Sequence, residues 1–373
     1  MRRAKLVGLL LPATALLIGG ARAAEPSANQ PSAKDITQTV GMERGLALVV
    51  ADDLELAADL ADEGRMLVHL LMPNASLVER TRSLARARGL GGRVMVDPLP
   101  AGGRLPHPAR FVNLLVADLD DLENKGAWAK EFPRVMAVRG AVYVKRDGQW
   151  RATATPSNDR LDGWFAHWYD AAGNCVSQDR EAGFPRAVQW RHGPAMEDGT
   201  ADGKIPRVAD GRVVLMDNAS GDLVCRDAGN GLLLWRLQVG SRQNAEVSLA
   251  AGKAHLWRDA ESLGNRRSDR EAGPLVAIDL KTGKIAKVYD QGLRAGTAPS
   301  VEVPWGDRTR KVEPVAWFVV NDRVIVQAYG SELVVLDRES GKRRWSKSIQ
   351  GASWFSPVVS GDLVLAAEAV YPG

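Results

Sequence analysis

Residues able to do chemistry are few and scattered. Carboxylates cluster as Asp52-Asp53 and as Asp118 with Asp120-Asp121, each beside an expected strand end. Such groups can line the crevice at the carboxyl edge of a parallel sheet, where α/β enzymes keep their acids and bases. Their commoner use is to cap helices or face water, and that reading is adopted. The five histidines, His69, His107, His167, His192 and His255, lack metal-ligand spacing. His167, between Trp164 and Trp168, could be a ligand or base; a hydrogen-bonded place in an aromatic connector is the plainer reading. Gly102-Gly103 precedes neither a helix start nor Lys-Ser/Thr, so it is no phosphate cradle, and no Gly-x-Ser-x-Gly turn occurs. Cys175 and Cys225 are the two cysteines. In an oxidising compartment they can form one disulfide, or both can be free thiols, because pairing geometry is not readable from sequence.

The elements that would position these groups fall into two halves. Over residues 46–145, short runs that are apolar on both faces (46–51, 66–71, 94–96, 111–117, 141–144) alternate with helical stretches. A helix over 54–63 and another from an Asn74 cap to Arg88, stopped by Gly89, fit this pattern. The pattern predicts a Rossmann-like α/β domain with a parallel sheet covered on both sides.

The second half repeats. Leu223-Val224-Cys225-Arg226-Asp227, Leu275-Val276-Ala277-Ile278-Asp279 and Leu333-Val334-Val335-Leu336-Asp337 align without gaps, at spacings of 52 and 58 residues. Four residues after each Asp stands a glycine (Gly231, Gly283, Gly341), and four further on Trp235, Lys287 and Trp345. The Asp can bond to the backbone of a turn, the Gly can take the left-handed conformation, and the Trp offers a flat face to a neighbour. A hairpin precedes each unit (205–208 with 212–217, 247–250 with 253–257, 315–320 with 323–328), making four strands per repeat, the content of one β-propeller blade. Residues 356–359 and 363–367 begin another. The fold expected is a Rossmann-like α/β domain followed by an all-β partial propeller of three complete four-stranded blades plus half of a fourth. Such an arc would leave bare strand edges, so a longer chain or a partner is expected to complete the ring. Polar insertions at 258–273 and 292–311 emerge at one end of the blades, which marks that end as the expected binding face.

Composition sets the compartment and excludes some partners. Residues 1–23 read as a cleavable export signal, with Arg2, Arg3 and Lys5, an apolar run over 6–20, and Ala21-Arg22-Ala23. Four of the 49 Lys and Arg lie there, leaving 45 against 45 acidic residues, so the formal +4 gives no case for nucleic acid. No later segment reads as a membrane span. Residues 24–40 are expected to be a disordered lead-in, 41–153 the α/β domain, 154–200 a Trp-rich connector and 201–373 the blades. The protein is expected in the periplasm or secreted.

The Asp-x-x-x-Gly-x-x-x-Trp units resemble the quinoprotein-type (PQQ-like) propeller family, whose turn reads Asp-x-x-Thr-Gly-x-x-x-Trp. Thr282 matches it, Ser340 and Asn230 replace the Thr, and Lys287 replaces one Trp. The first half looks like a class I methyltransferase core: residues 134–144 are similar to its late helix–Gly–strand segment, and 111–118 to its fourth strand. The combination resembles large secreted proteins of planctomycete-like bacteria, with 162–174 and then 189–190 similar to their connector. Under this resemblance the methyltransferase part is degenerate. Its first turn reads Ala51-Asp52-Asp53-Leu54-Glu55-Leu56 without glycine, and Leu71-Met72-Pro73 stands where an acidic residue would hold the ribose of adenosylmethionine. The expectation is a non-catalytic, exported binding or scaffolding protein without cofactor, contacting a protein or polymeric ligand through the propeller's loop face. The alternatives are a quinoprotein dehydrogenase, which alone would require pyrroloquinoline quinone with calcium, and a working methyltransferase.

Overall fold

The computed structural model describes residues 31–62, 65–155, 160–166, 168–181, 188–191, 206–217, 220–239, 246–257, 273–293, 301–305, 308–312, 317–349 and 356–367. The expected signal at 1–23, His167, His192 and residues 258–272 of the first insertion lie outside the described residues.

The first half runs α1 (Ala33–Val40), β1 (Gly45–Val50), α2 (Leu54–Asp62), β2 (Met66–Met72), α3 (Val78–Ala87), β3 (Val94–Pro98), β4 (Val112–Asp118), α4 (Lys125–Val135), β5 (Met136–Arg146) and β6 (Gln149–Ala154). They form one six-stranded sheet in the order β3-β2-β1-β4-β5-β6, parallel except for the β5–β6 hairpin. The two apolar faces inferred from sequence feed two cores: Ala47 and Val49 face α1 and α2, while Leu48 and Val50 face α4. A strand alternates its side chains, so only a sheet covered on both sides needs every residue apolar.

Part of the expected lead-in is a helix, which corrects that boundary. Ser32 and Asp35 form a reciprocal capping box at the start of α1, Gly41 closes it at φ 62°, and Ile36 is fully buried. The polar composition of residues 24–40 concealed a helix with one apolar stripe. The last strand, β6, was also unread: Asp147 and Gly148 both take positive φ, the condition for a two-residue hairpin.

The second half forms three four-stranded antiparallel sheets. The first comprises β7 (Arg207–Ala209), β8 (Arg212–Asp217), β9 (Asp222–Asp227) and β10 (Leu233–Gln238). The second comprises β11 (Ser248–Ala250), β12 (Lys253–Trp257), β13 (Leu275–Asp279) and β14 (Ile285–Tyr289). After a separate hairpin of β15 (Val301–Trp305) and β16 (Arg308–Val312), the third comprises β17 (Trp317–Val320), β18 (Val324–Tyr329), β19 (Glu332–Asp337) and β20 (Arg343–Ser348). A final pair follows, β21 (Val358–Ser360) with β22 (Leu363–Leu365). The hairpin corrects the reading of 292–311 as a plain polar insertion. Asp227, Asp279 and Asp337 therefore end the third strands of three different sheets.

The sheets stack face to face. Val276 and Ile278 of β13 join a core with the first sheet, whereas Leu275 and Ala277 join a core with the third. The third sheet packs Val326 and Val335 toward Val359 of β21. Period-two alternation thus gives each central strand two apolar faces, as blade stacking requires. The first strands neighbour one another, β7 beside β11 and β11 beside β17. Among the described residues no helix is long and apolar enough to cross a membrane.

Candidate functional site

The three repeat turns share one geometry. In each, the glycine N–H donates to the Asp carbonyl (2.9 Å at Gly231, 2.8 Å at Gly283 and Gly341), and all three glycines take positive φ. The Asp carboxylate accepts from the residue three positions on: Thr282 N–H and hydroxyl reach Asp279 at 2.8 Å each, and Ser340 does the same to Asp337. Burial pushes the Asp279 carboxyl up, but the Thr282 bonds outweigh it and hold it low; Arg344 beside Asp337 holds that one lower still.

Each turn is also a socket. Trp235 donates its indole N–H to the carbonyl of Leu280 in the next turn (2.8 Å), and a Cβ on Gly283 would lie 2.7 Å from the ring. Glycine is therefore required twice over, by φ and by space. Lys287, in the Trp position, reaches the next turn at the Glu339 carbonyl, and Tyr289 donates its hydroxyl to Arg338 (3.1 Å), the residue equivalent to Leu280. The missing indole is thus replaced by a phenol two residues later. Trp345, the third of the series, is 42% exposed.

The first turn has a partner that the repeat pattern did not indicate. Trp190 of the connector donates to Ala228 (2.9 Å) and covers Gly231, just as Trp235 covers Gly283. The only sequence signal was a tryptophan following glutamine in the connector.

This first turn also joins the two halves. Asn113 of β4 donates to Asp227 (2.7 Å), and its carbonyl oxygen accepts from Leu46 N–H (2.8 Å) and from Asn230 (2.7 Å). Asn230 donates to the Phe111 carbonyl as well (2.8 Å). The Asn at the Thr position of the repeat is explained: an amide donates outward to the α/β domain while its own oxygen accepts from Leu232 N–H at 3.0 Å. Burial raises the Asp227 carboxyl, against the bonds from Asn230, Asn113 and Gly229.

Beside this junction lies a cleft of about 1350 Å³ between the end of α1, the β4 and β5 side of the α/β domain, and the turns of the first two sheets. Asp227, Trp235 and Asp279 line it together with Arg44, Arg212 and Lys281. Asp337 and Trp345 lie elsewhere. The sequence reads the repeat residues as structural turns and gives no sign that Asp227, Trp235 and Asp279 share a cleft with the α/β domain.

The carboxyl edge of the parallel sheet does not fit adenosylmethionine. Asp53 caps α2 at Leu56 N–H (3.0 Å), Asp52 accepts from Asn74 N–H (3.1 Å), Asp118 pairs with Lys145 (2.8 Å) and Asp120 holds Asp147 and Gly148. Leu71 and Met72 are buried in the cores where an acidic side chain would have to reach the ribose. Among the described residues no group of three His, Cys, Asp or Glu is placed to hold a metal ion.

Two histidines meet instead in a buried chain. His69 Nδ1 lies 3.1 Å from His107 Nε2, and His69 Nε2 lies 3.0 Å from Asp97, which pairs with Arg82. Burial lowers both histidines, His107 to about 4 with help from the charges of His69 and Arg134. Arg134 holds the carbonyls of Leu105 and His107, so this chain pins the loop that leads to β4. Of the two alternatives for the cysteines, the structure has free thiols: Cys175 is exposed, whereas Cys225 sits in the core between the first two sheets with its thiol pushed up to about 12 by burial.

A family model described as outer membrane protein assembly factor BamB matches residues 300–371. Among solved structures, BamB from Moraxella catarrhalis is 15% identical over 42% of this chain and 44% of its own, with a TM-score of 0.28. A putative S-adenosyl-L-methionine-dependent methyltransferase from Methanococcus maripaludis is 16% identical over 30% of this chain and 52% of its own, also at 0.28. Geranyl diphosphate C-methyltransferase from Streptomyces coelicolor A3(2) is 14% identical over 30% and 41%, at 0.27. The chain spans about half or less of the length of each. No curated protein matches.

Proposed function

We propose that this chain is an exported, non-catalytic scaffold that binds another protein in the bacterial envelope through loops of its blade-like sheets. The observation that carries this reading is the use of the chain's own carboxylates at the carboxyl edge of the α/β sheet. Asp53 caps a helix, Asp52 holds the loop after β2 at Asn74, Asp120 closes a hairpin and Asp118 pairs with lysine, which leaves the domain organised for packing. The four-stranded sheets resemble propeller blades, and the family description that matches residues 300–371 supports a protein as their ligand. The expected contact face is the end bearing the β15–β16 hairpin. A photo-crosslinker at Thr309, exposed on β16, is expected to give one discrete product in intact cells, absent when the group is moved to the opposite end of the blades. Calorimetric titration with pyrroloquinoline quinone and calcium, and thermal unfolding with adenosylmethionine, are expected to show neither binding nor stabilisation. Turnover of an alcohol or sugar with quinone, or a clear rise in Tm with adenosylmethionine, overturns the reading.

A further inference from the structure

The first strand of each antiparallel sheet in the second half is an edge, and an edge strand leaves every second N–H and C=O without a partner. In three of the sheets that bare edge meets the connector. Val208, Leu249 and Val359 are the middle residues of β7, β11 and β21, three strands of three residues each. Val208 N–H donates to the Trp164 carbonyl (3.0 Å), Leu249 N–H to Phe165 (2.7 Å) and Val359 N–H to Ala171 (2.7 Å). Trp164 N–H returns a bond to Val208 (2.7 Å). Equivalent backbone positions of three separate sheets are thus satisfied by one short stretch of chain.

Side chains follow the backbone. Phe165 packs into the core between the first and second sheets, and Ala171 into the core that holds Val359. Two glycines allow the close approach: a Cβ on Gly163 would lie 2.3 Å from the Val208 carbonyl, and one on Gly173 3.1 Å from Val358. Between them the stretch is folded tightly. Tyr169 takes φ 83°, which a bulky residue adopts only where its surroundings over-determine it. Its hydroxyl bonds to Asp162, whose carboxylate also accepts from Ser177 and Gln178.

We propose that the first strands of these sheets form a peptide-binding site that reads backbone, and that the connector fills it in cis as a bound ligand. The chemistry is strand addition: main-chain bonds supply affinity and alternate side chains enter pockets between sheets. The ligand class is a polypeptide turn carrying an aromatic residue and, six positions on, a small one, as Phe165 and Ala171 stand here. Another polypeptide enters only when residues 164–166 and 168–171 leave. The assignment does not depend on the scaffold reading above, since the bonds exist whatever the α/β domain does.

Amide exchange on the full chain tests it. In the wild type, the amides of Val208, Leu249 and Val359 are expected to be protected although they lie on sheet edges; exchange at the rate of exposed loops overturns the site outright. Gly163→Val, which drives the connector off β7, is expected to remove protection at all three amides together while Gly283 N–H in its turn stays protected. Loss confined to Val208 means that the three contacts are independent, and overturns a single site. A synthetic peptide covering residues 160–176 added to this variant is expected to restore protection at Leu249 and Val359; failure to do so overturns the ligand role. If Gly163→Val does not fold, Tyr169→Phe, which deletes only the hydroxyl bonded to Asp162, reads the same three amides through a smaller loss.

Discussion

Replacing Asn113 with alanine tests whether the two halves are held by one side chain. The amide makes three hydrogen bonds of 2.7, 2.8 and 2.7 Å, to Asp227, from Leu46 N–H and from Asn230, and the residue is 4% exposed. Truncation strands a carboxylate oxygen, a backbone N–H and an amide N–H. Each buried orphan costs about 1–3 kcal/mol, which makes roughly 3–9 kcal/mol, with the lower end expected because water from the adjoining cleft can reach some of them. Urea unfolding read by tryptophan fluorescence, with far-UV circular dichroism alongside, gives the number; all eleven tryptophans lie at or after Trp128, so fluorescence weights the second half. A companion variant, Asn113→Asp, keeps the acceptor for Leu46 and Asn230 but sets a second carboxylate against Asp227, whose own carboxyl burial already raises. It is expected to be weakest at neutral pH and to recover as the pH falls and the pair takes up a proton. A loss below about 0.5 kcal/mol for Asn113→Ala, the range of an ordinary surface change, would refute the argument that this amide joins the halves.

Other perturbations separate causes that the repeat pattern merges. Gly283→Ala meets both an unfavourable φ and the Trp235 ring, whereas Gly148→Ala at φ 75° meets open space; Gly148→Ala is expected to cost about 1–2 kcal/mol and Gly283→Ala clearly more, measured by thermal unfolding. His107 has its folded pKa lowered to about 4 from 6.5, so between those values the unfolded chain binds more protons and stability falls as the pH drops. The loss reaches at most about 3 kcal/mol at the acid end, and His107→Gln is expected to flatten the urea midpoint against pH over that window. A thiol reagent is expected to label Cys175 at once and Cys225 only on unfolding, since Cys225 is fully buried and its thiol is pushed to about 12; one equivalent of fast labelling counted by mass spectrometry checks it.

Much of the architecture was legible because period-two alternation and turn chemistry are local. Runs apolar on both faces announced strands that feed two cores, and the Asp-x-x-x-Gly spacing announced turns whose bonds span four residues. What escaped was short or displaced. Helix α1 hides in eight residues of polar composition, betrayed only by Ser32, Asp35 and Gly41. The β15–β16 hairpin lies in a stretch that reads from sequence as a polar insertion.

The amino-acid sequence determined the α/β half, the repeated sheets and the turn that closes each, since all of these follow from side-chain alternation and from bonds between near neighbours. The tertiary structure alone decided which groups met: Trp190 in the socket of the first turn, Tyr289 standing in for an absent indole, Asn113 against Asp227, and the connector along three strand edges. Those pairs lie 38 to 188 residues apart. No local rule links them, because an unpaired carbonyl or N–H is satisfied by whichever donor or acceptor the packed sheets bring within about 3 Å.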